Sequence, residues 1–238
     1  MPDGTDTDYP ADSYDEAYYQ ALAAEADRNA ASHRWRLRWL DEMLDVRPGE
    51  RVVDLGSGTG QIARHLARRG AVVEAVDRSP QAVAFCRHRW ADLKNVRFHV
   101  ADATRCDHLE SAAFDKATCC DLIEHVHDDV MIGVFREARR LLKPDGELYV
   151  YSPNAGHWIE RLKARNCLLK QPVGHIRVRG AAEVAAALTD CGFEIARSAR
   201  PTSMLPVVRR LEWVWLRLPI SPDLAMYRVC LLARKPAG

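Results

Sequence analysis

A chain of 238 residues with 47% hydrophobic content can bury the core of one ordinary domain plus modest additions, and 34 Lys and Arg against 33 Asp and Glu leave it at +1. That balance excludes a global field of the kind that grips nucleic acid. The start lacks a basic stretch leading into an apolar one, and no uncharged apolar run reaches the ~18 residues of a membrane span, so a soluble, cytoplasmic chain is expected.

The charge is unevenly spread. Residues 1–27 carry eight acids and no Lys or Arg; 155–179 carry six basic residues against Glu160, and 197–217 carry five against Glu212. Seven cysteines (86, 106, 119, 120, 167, 191 and 230) form no CxxC pair and leave one odd, which suits a reducing compartment better than a disulfide framework. Adjacent Cys119 and Cys120 read as small buried hydrophobes on a strand.

In chain order, acidic residues 1–12 read as a loose tail. A helical cap is expected over 13–46, its pattern running from Tyr14 to Leu44 with Trp35, Trp39 and Leu40 among arginines, until "RPGE" at 47–50 stops it. From 47 to 238 a single domain is expected, with additions at about 154–179 and 202–225. Apolar runs at 51–55, 71–76, 96–100, 114–120 and 147–151 predict buried strands, alternating with helical segments after the first, second and fourth. The stretch between the third and fourth is shorter and irregular. Such alternation predicts a parallel α/β sheet with helices on both faces. After a helix at about 180–191, "CGFEIARSAR" and "YRVCLLARKP" are both strand-like, with no ordinary crossover helix between them.

The first strand ends in "RVVDLGSGTG". Glycines where a strand runs into a helix let the backbone turn tightly and approach a ligand, and Gly56, Gly58 and Gly60 supply that freedom. GxGxG alone would serve several nucleotides. The second strand ends in Asp77, placed to accept ribose hydroxyls, and the third in Asp102, placed to meet an adenine amine. A dinucleotide fingerprint would read GxGxxG, whereas Gln stands at 61 and Thr at 59, so a pyrophosphate cradle fits less well.

Together, "VVDLGSGTG", "VEAVDRSP", "VADATRC", "FDKATCCDLIEHV" and "LLKPDGELYVYSPN" resemble the class I S-adenosylmethionine-dependent methyltransferases over roughly residues 50–155. The resemblance implies a Rossmann-like seven-stranded mixed sheet whose last strand is antiparallel and inserted beside the sixth. It also implies a cofactor site: Gly56, Ser57, Gly58 and Gly60 along the methionine portion, Asp77 and Arg78 at the ribose, Asp102 and Ala103 at the adenine, and Cys120 nearby. Asp54 reads as a loop organiser beside the cofactor.

Acceptor chemistry is expected after the fourth strand. If "CCDLIEHVHDD" enters a helix, Asp121, Glu124 and His125 at i, i+3 and i+4 share one face and form a candidate site for Mg or Zn. "DLIEHV" resembles the ExxEH segment of ubiquinone-biosynthesis O-methyltransferases and of small-RNA 3′-terminal 2′-O-methyltransferases, both of which use a divalent metal there; Asp121 replaces the first Glu and shortens that ligand's reach. Without a metal, His125 reads as a base or a hydrogen-bonded wall of the pocket, with Glu124 beside it as a catalytic candidate. Asp128 and Asp129 read as first-turn acids. "HIRVRG" resembles an element of small-molecule members of the family whose histidine faces the acceptor, which makes His175 a second base or ligand; the alternative is a helix cap. Asn154 and His157 are weaker candidates for the pocket lining.

In the helix predicted over 206–218, Val208, Leu211, Trp215 and Leu218 recur at helical spacing with arginines and Trp213 elsewhere. Core packing, a lid over a lipophilic pocket and peripheral membrane contact all remain open for it. Tyr14, Tyr18, His33 and Arg34 could close over the cofactor from the N-terminal side. The reading as a whole is methyl transfer from S-adenosylmethionine to a small or lipid-like acceptor with anionic character, at oxygen. The alternatives are a metal-dependent RNA 2′-O-methyltransferase, methylation at carbon or nitrogen of a small molecule, and a silent binding subunit.

Overall fold

Val52 and Val53 point to opposite sides of one strand, and both are fully buried in separate apolar clusters. A strand apolar on both faces has to lie between two layers of helix. The computed structural model describes residues 20, 24, 30–165, 174–203, 206–217 and 222–237. The expected tail 1–12, Tyr14, Tyr18, Cys167 and Leu218 fall outside them.

β1 (Arg51–Leu55) pairs in parallel with β2 (Val72–Asp77) and β4 (Phe114–Cys120); β2 pairs with β3 (Val96–Val100), and β4 with β5 (Leu142–Pro153). β7 (Arg228–Arg234) lies antiparallel between β5 and β6 (Glu194–Ser198), giving the order β3-β2-β1-β4-β5-β7-β6. This is the mixed sheet that the sequence resemblance implies.

α1 (Ala30–Met43), α2 (Gln61–Arg68) and α3 (Pro80–Arg89) cover one face through Leu40, Met43, Ile62, Leu66, Val83 and Phe85. α4 (Asp128–Leu141) and α6 (Ala181–Asp190) cover the other through Met131, Phe135, Val184 and Leu188. α3 starts where Pro80 follows Ser79, whose hydroxyl accepts from the Ala82 amide at 3.2 Å. Asp128 and Asp129 occupy the first turn of α4, as expected. Cys119 and Cys120 are buried on β4, and the described cysteines are all free.

Two segments are left undecided by the sequence reading. The stretch after β5 forms a short α5 (Trp158–Ala164), capped by His157 Nδ1 accepting from the Ile159 amide. Seven residues make under two turns, too few for a periodic signal. α7 (Pro206–Trp215) is not packed into the core: it turns Glu212 inward, fully buried, and leaves Leu211, Trp213, Val214 and Trp215 exposed. Three donors converge on that carboxylate, from His157 Nε2 at 2.8 Å, Trp158 Nε1 at 3.1 Å and the Ser203 amide at 2.5 Å. Polar anchoring, rather than an apolar stripe, fixes which face of α7 is inside.

Candidate active site

The carboxyl ends of β1, β2 and β4 meet at the glycine turn. Gly56, Gly58 and Gly60 all take positive φ. At Gly60 a Cβ would also stand 2.9 Å from Trp90 Nε1 and 3.0 Å from Cys86 Sγ, so glycine is required there on two counts. The Gly58 amide donates to Asp77 Oδ2 at 2.8 Å and the Ser79 amide to Oδ1 at 2.9 Å, which fixes the carboxylate at the strand end; burial raises its pKa above the usual value.

Asp54 is buried beside this turn. Oδ1 accepts from Thr118 Oγ1 at 2.6 Å, while Oδ2 and Ser57 Oγ have no hydrogen-bond partner among the described residues. Burial pushes the Asp54 carboxyl up to about 6, against the Thr118 hydrogen bond and the nearby Arg36 charge. An orphaned buried acceptor next to a cation is a ready seat for the ammonium and carboxylate of an amino acid. Asp102 sits exposed after β3, its Oδ1 taken by the Thr104 amide and hydroxyl, both at 2.8 Å, with Ala103 partly buried beside it. Arg78 is exposed and Cys120 ends β4 buried.

The acceptor side differs from its helical expectation. Asp121 is left-handed (φ 51°), residues 123–125 make a 3-10 turn, and α4 begins only at Asp128. The i, i+3, i+4 face on which Asp121 was expected to join Glu124 and His125 therefore does not form. Arg36 Nη1 donates to Asp121 Oδ2 at 2.8 Å and Arg228 Nη1 to Oδ1 at 3.3 Å. Burial alone would raise that carboxyl, but Arg228 and Arg36 outweigh it and hold it below the usual value.

His175 stands where Asp121 was expected. Donor atoms of Glu124, His125 and His175 all lie within 4.8 Å of one another. The backbone arranges this, because the amides of Ile176 and Arg177 donate to the Glu124 carbonyl at 2.9 and 3.1 Å. Fully buried Arg179 then clamps the segment, bonding to the carbonyls of Ile123 and Val126 and, at 2.6 Å, to Asp128 Oδ1. His125 Nδ1 donates to the Gly174 carbonyl at 2.8 Å, so Nε2 is the ring nitrogen left with a lone pair.

Burial, reinforced by the Asp121 charge, pushes the Glu124 carboxyl up to about 8, and Ser152 Oγ donates to its Oε2 at 3.0 Å. Burial and the neighbouring His125 push His175 down to about 4, and its Nδ1 is buried without a partner among the described residues. Two imidazoles and one carboxyl are an N,N,O donor set of the kind that zinc accepts.

His157 and Asn154, read as weaker pocket candidates, have structural roles instead. His157 ties α5 to Glu212, and Asn154 Nδ2 donates to the Met226 carbonyl at 2.8 Å while Oδ1 accepts from the Gly156 amide. The sequence reading missed Arg36, Arg228 and Arg179. Arg36 had a signal: it precedes the buried Leu40 by one turn and so shares the inward face of α1. His33 Nδ1 lies 3.3 Å from Arg36 Nη2, and Arg34 faces solvent.

Residues 52–146 match the family model described as "Methyltransferase domain". An "Ubiquinone biosynthesis O-methyltransferase" of Xanthomonas oryzae pv. oryzae (strain PXO99A) is 35% identical over 120 residues, which are 50% of this chain and 49% of the relative. The chain therefore spans about half the length of the curated relatives it matches. Among solved structures, a chain from the complex of the Haloferax volcanii Trm112 methyltransferase activator with a methyltransferase superposes with a TM-score of 0.70 at 19% identity, covering 93% of this chain and 97% of that one. A SAM-dependent methyltransferase from Aquifex aeolicus gives 0.65 at 15% identity, covering 93% and 99%. Residues 52–146 are thus similar to a methyltransferase domain, and the likeness to the solved structures is one of fold. In the described residues no helix is long and apolar enough to cross a membrane.

Proposed function

We propose that the chain transfers a methyl group from S-adenosylmethionine to the hydroxyl oxygen of a small or lipid-like acceptor. The convergence of Glu124, His125 and His175 just past the carboxyl end of β4, at the same sheet edge as the glycine turn, carries this reading. Asp54 Oδ2 and Arg36 Nε, both without a partner among the described residues, suit the amino-acid end of the cofactor, Asp77 the ribose, and Asp102 with Ala103 the adenine. When bound, the cofactor supplies an electrophilic methyl on a sulfonium.

The protein's task is then alignment, exclusion of water and removal of one proton. The hydroxyl oxygen gains the carbon that the sulfonium releases, and the hydroxyl proton passes to Nε2 of His125, whose Nδ1–H is held by the Gly174 carbonyl. His175, kept neutral by burial, packs edge-on against that ring and fixes its plane. The name of the relatives, matched over about half of their length, supports oxygen as the acceptor atom.

A second reading is favoured by the donor set itself: a divalent cation held by Glu124, His125 and His175 would acidify an acceptor hydroxyl as a Lewis acid. The test is methyl transfer from labelled S-adenosylmethionine to catechol-type phenols, before and after chelation and with Mg or Zn restored. Full activity after chelation leaves His125 as the base; loss that Zn or Mg reverses assigns the trio to a cation. No turnover of any hydroxyl compound, with transfer to an RNA 3′ end instead, removes the small-molecule reading.

A further inference from the structure

α7 carries five of the seven large apolar side chains that are exposed among the described residues: Val207, Leu211, Trp213, Val214 and Trp215. Val207, Leu211 and Val214 at i, i+4 and i+7 form one outward stripe, with Trp215 at its margin. Arg210 and Arg217 flank the stripe on the other side, and the Arg217 guanidinium lies 3.1 Å from the centroid of the Trp213 ring. The helix's single acid, Glu212, is turned inward and fully buried. Arg209 reaches across to the Trp35 ring of α1, 5.7 Å away, next to the exposed Arg34 and Arg38.

We propose that α7 is a docking helix for an anionic bilayer surface. Val207, Leu211 and Val214 enter the acyl boundary, Trp213 and Trp215 sit at headgroup depth, and Arg209, Arg210 and Arg217 take the phosphates. The outward face bears cations and no acid, which complements anionic headgroups. A second copy of the chain fits poorly, because a ten-residue helix is about 15 Å long and offers a patch far below the roughly 800 Å² per partner of a stable interface. Glu212 ties α7 to the start of α5 through His157 Nε2 and Trp158 Nε1. Docking does not depend on which acceptor atom is methylated.

The test is co-sedimentation of the full chain with vesicles of phosphatidylcholine alone and of phosphatidylcholine with phosphatidylglycerol. Binding is expected with the anionic vesicles and is expected to weaken as salt rises. Leu211→Asp with Val214→Asp should lower it about tenfold or more, and Arg210→Glu with Arg217→Glu should abolish the preference for phosphatidylglycerol. Both variants should retain the wild-type melting temperature, S-adenosylmethionine binding and turnover of a water-soluble phenol, so failure to dock is separable from failure of the methyl-transfer reading. The proposal is overturned if wild type stays in the supernatant with every vesicle, if both variants sediment as wild type does, or if sedimentation velocity shows a dimer that the Leu211 and Val214 changes dissociate.

Discussion

The imidazoles of His125 and His175 meet edge to face with their centroids 5.1 Å apart, although α4, β5 and α5 lie between them in the chain. Their separation in sequence and closeness in space make them separately testable. His125→Ala should lower methyl transfer at least about a hundredfold with little change in S-adenosylmethionine affinity, as expected for a lost base. His175→Ala should lower the rate less unless a cation is held there, in which case Zn binding by calorimetry should weaken in both variants. Unchanged turnover in both would remove the trio from the reaction.

Asp54 sets a pH dependence on the donor side. Its buried carboxyl is protonated below about 6, where it cannot pair with an ammonium. Affinity for S-adenosylmethionine should therefore fall by roughly tenfold per pH unit below 6, and Asp54→Asn should flatten that profile at the weak end. The stability of the unliganded chain runs the opposite way. The folded value is raised above the ordinary 3.8, so this group's stabilising contribution is complete below 3.8 and is lost as pH rises through about 6. Calorimetric titrations and thermal melts at pH 5 and 7.5 check both signs.

The glycine turn should be unequally sensitive. Gly60→Ala combines a left-handed backbone with a Cβ 2.9 Å from Trp90 Nε1, and a loss of about 2–3 kcal/mol is expected, with weaker cofactor binding. Gly58 is also left-handed, but nothing lies within 4 Å of an added Cβ. Gly58→Ala should cost only about 1 kcal/mol. Urea unfolding of the two variants measures the difference.

Arg179→Ala should act at a distance. It would leave the Ile123 and Val126 carbonyls without their donor and Asp128 to Arg177 alone, at about 3 kcal/mol, and would loosen the segment that holds His175. Turnover should fall while cofactor affinity holds. Arg179→Lys should not restore either property, because one ammonium cannot span three acceptors in that geometry.

The glycine turn and the acid at the next strand end were legible because their determinants are local. β1, the turn and the end of β2 all fall within residues 51–77, and the backbone rules for each are strict. On the acceptor side, Glu124 and His125 were found from their spacing. Asp121 was assigned to the same cluster on the assumption of a helix that the left-handed backbone at 121 prevents. His175 was reached by resemblance, but its seat beside His125 depends on Arg179 and on backbone bonds between segments far apart in the chain. α7 is left undecided by the sequence for a related reason: periodicity shows that a helix has an apolar stripe, but not that a buried Glu212 will turn the stripe outward.

The antiparallel insertion of β7 has a consequence for how such a protein can diverge. Because β7 runs backwards, its first residue rather than its last reaches the reactive edge, and there Arg228 joins Arg36 of α1 in gripping Asp121. The two ends of the described chain thus close on one carboxylate at the tip of β4, beside the glycine turn and the Glu124–His125–His175 cluster. Segments on the acceptor flank can be exchanged for a new substrate while that clasp and the glycine turn stay as they are. One donor machine can in this way serve a succession of acceptors.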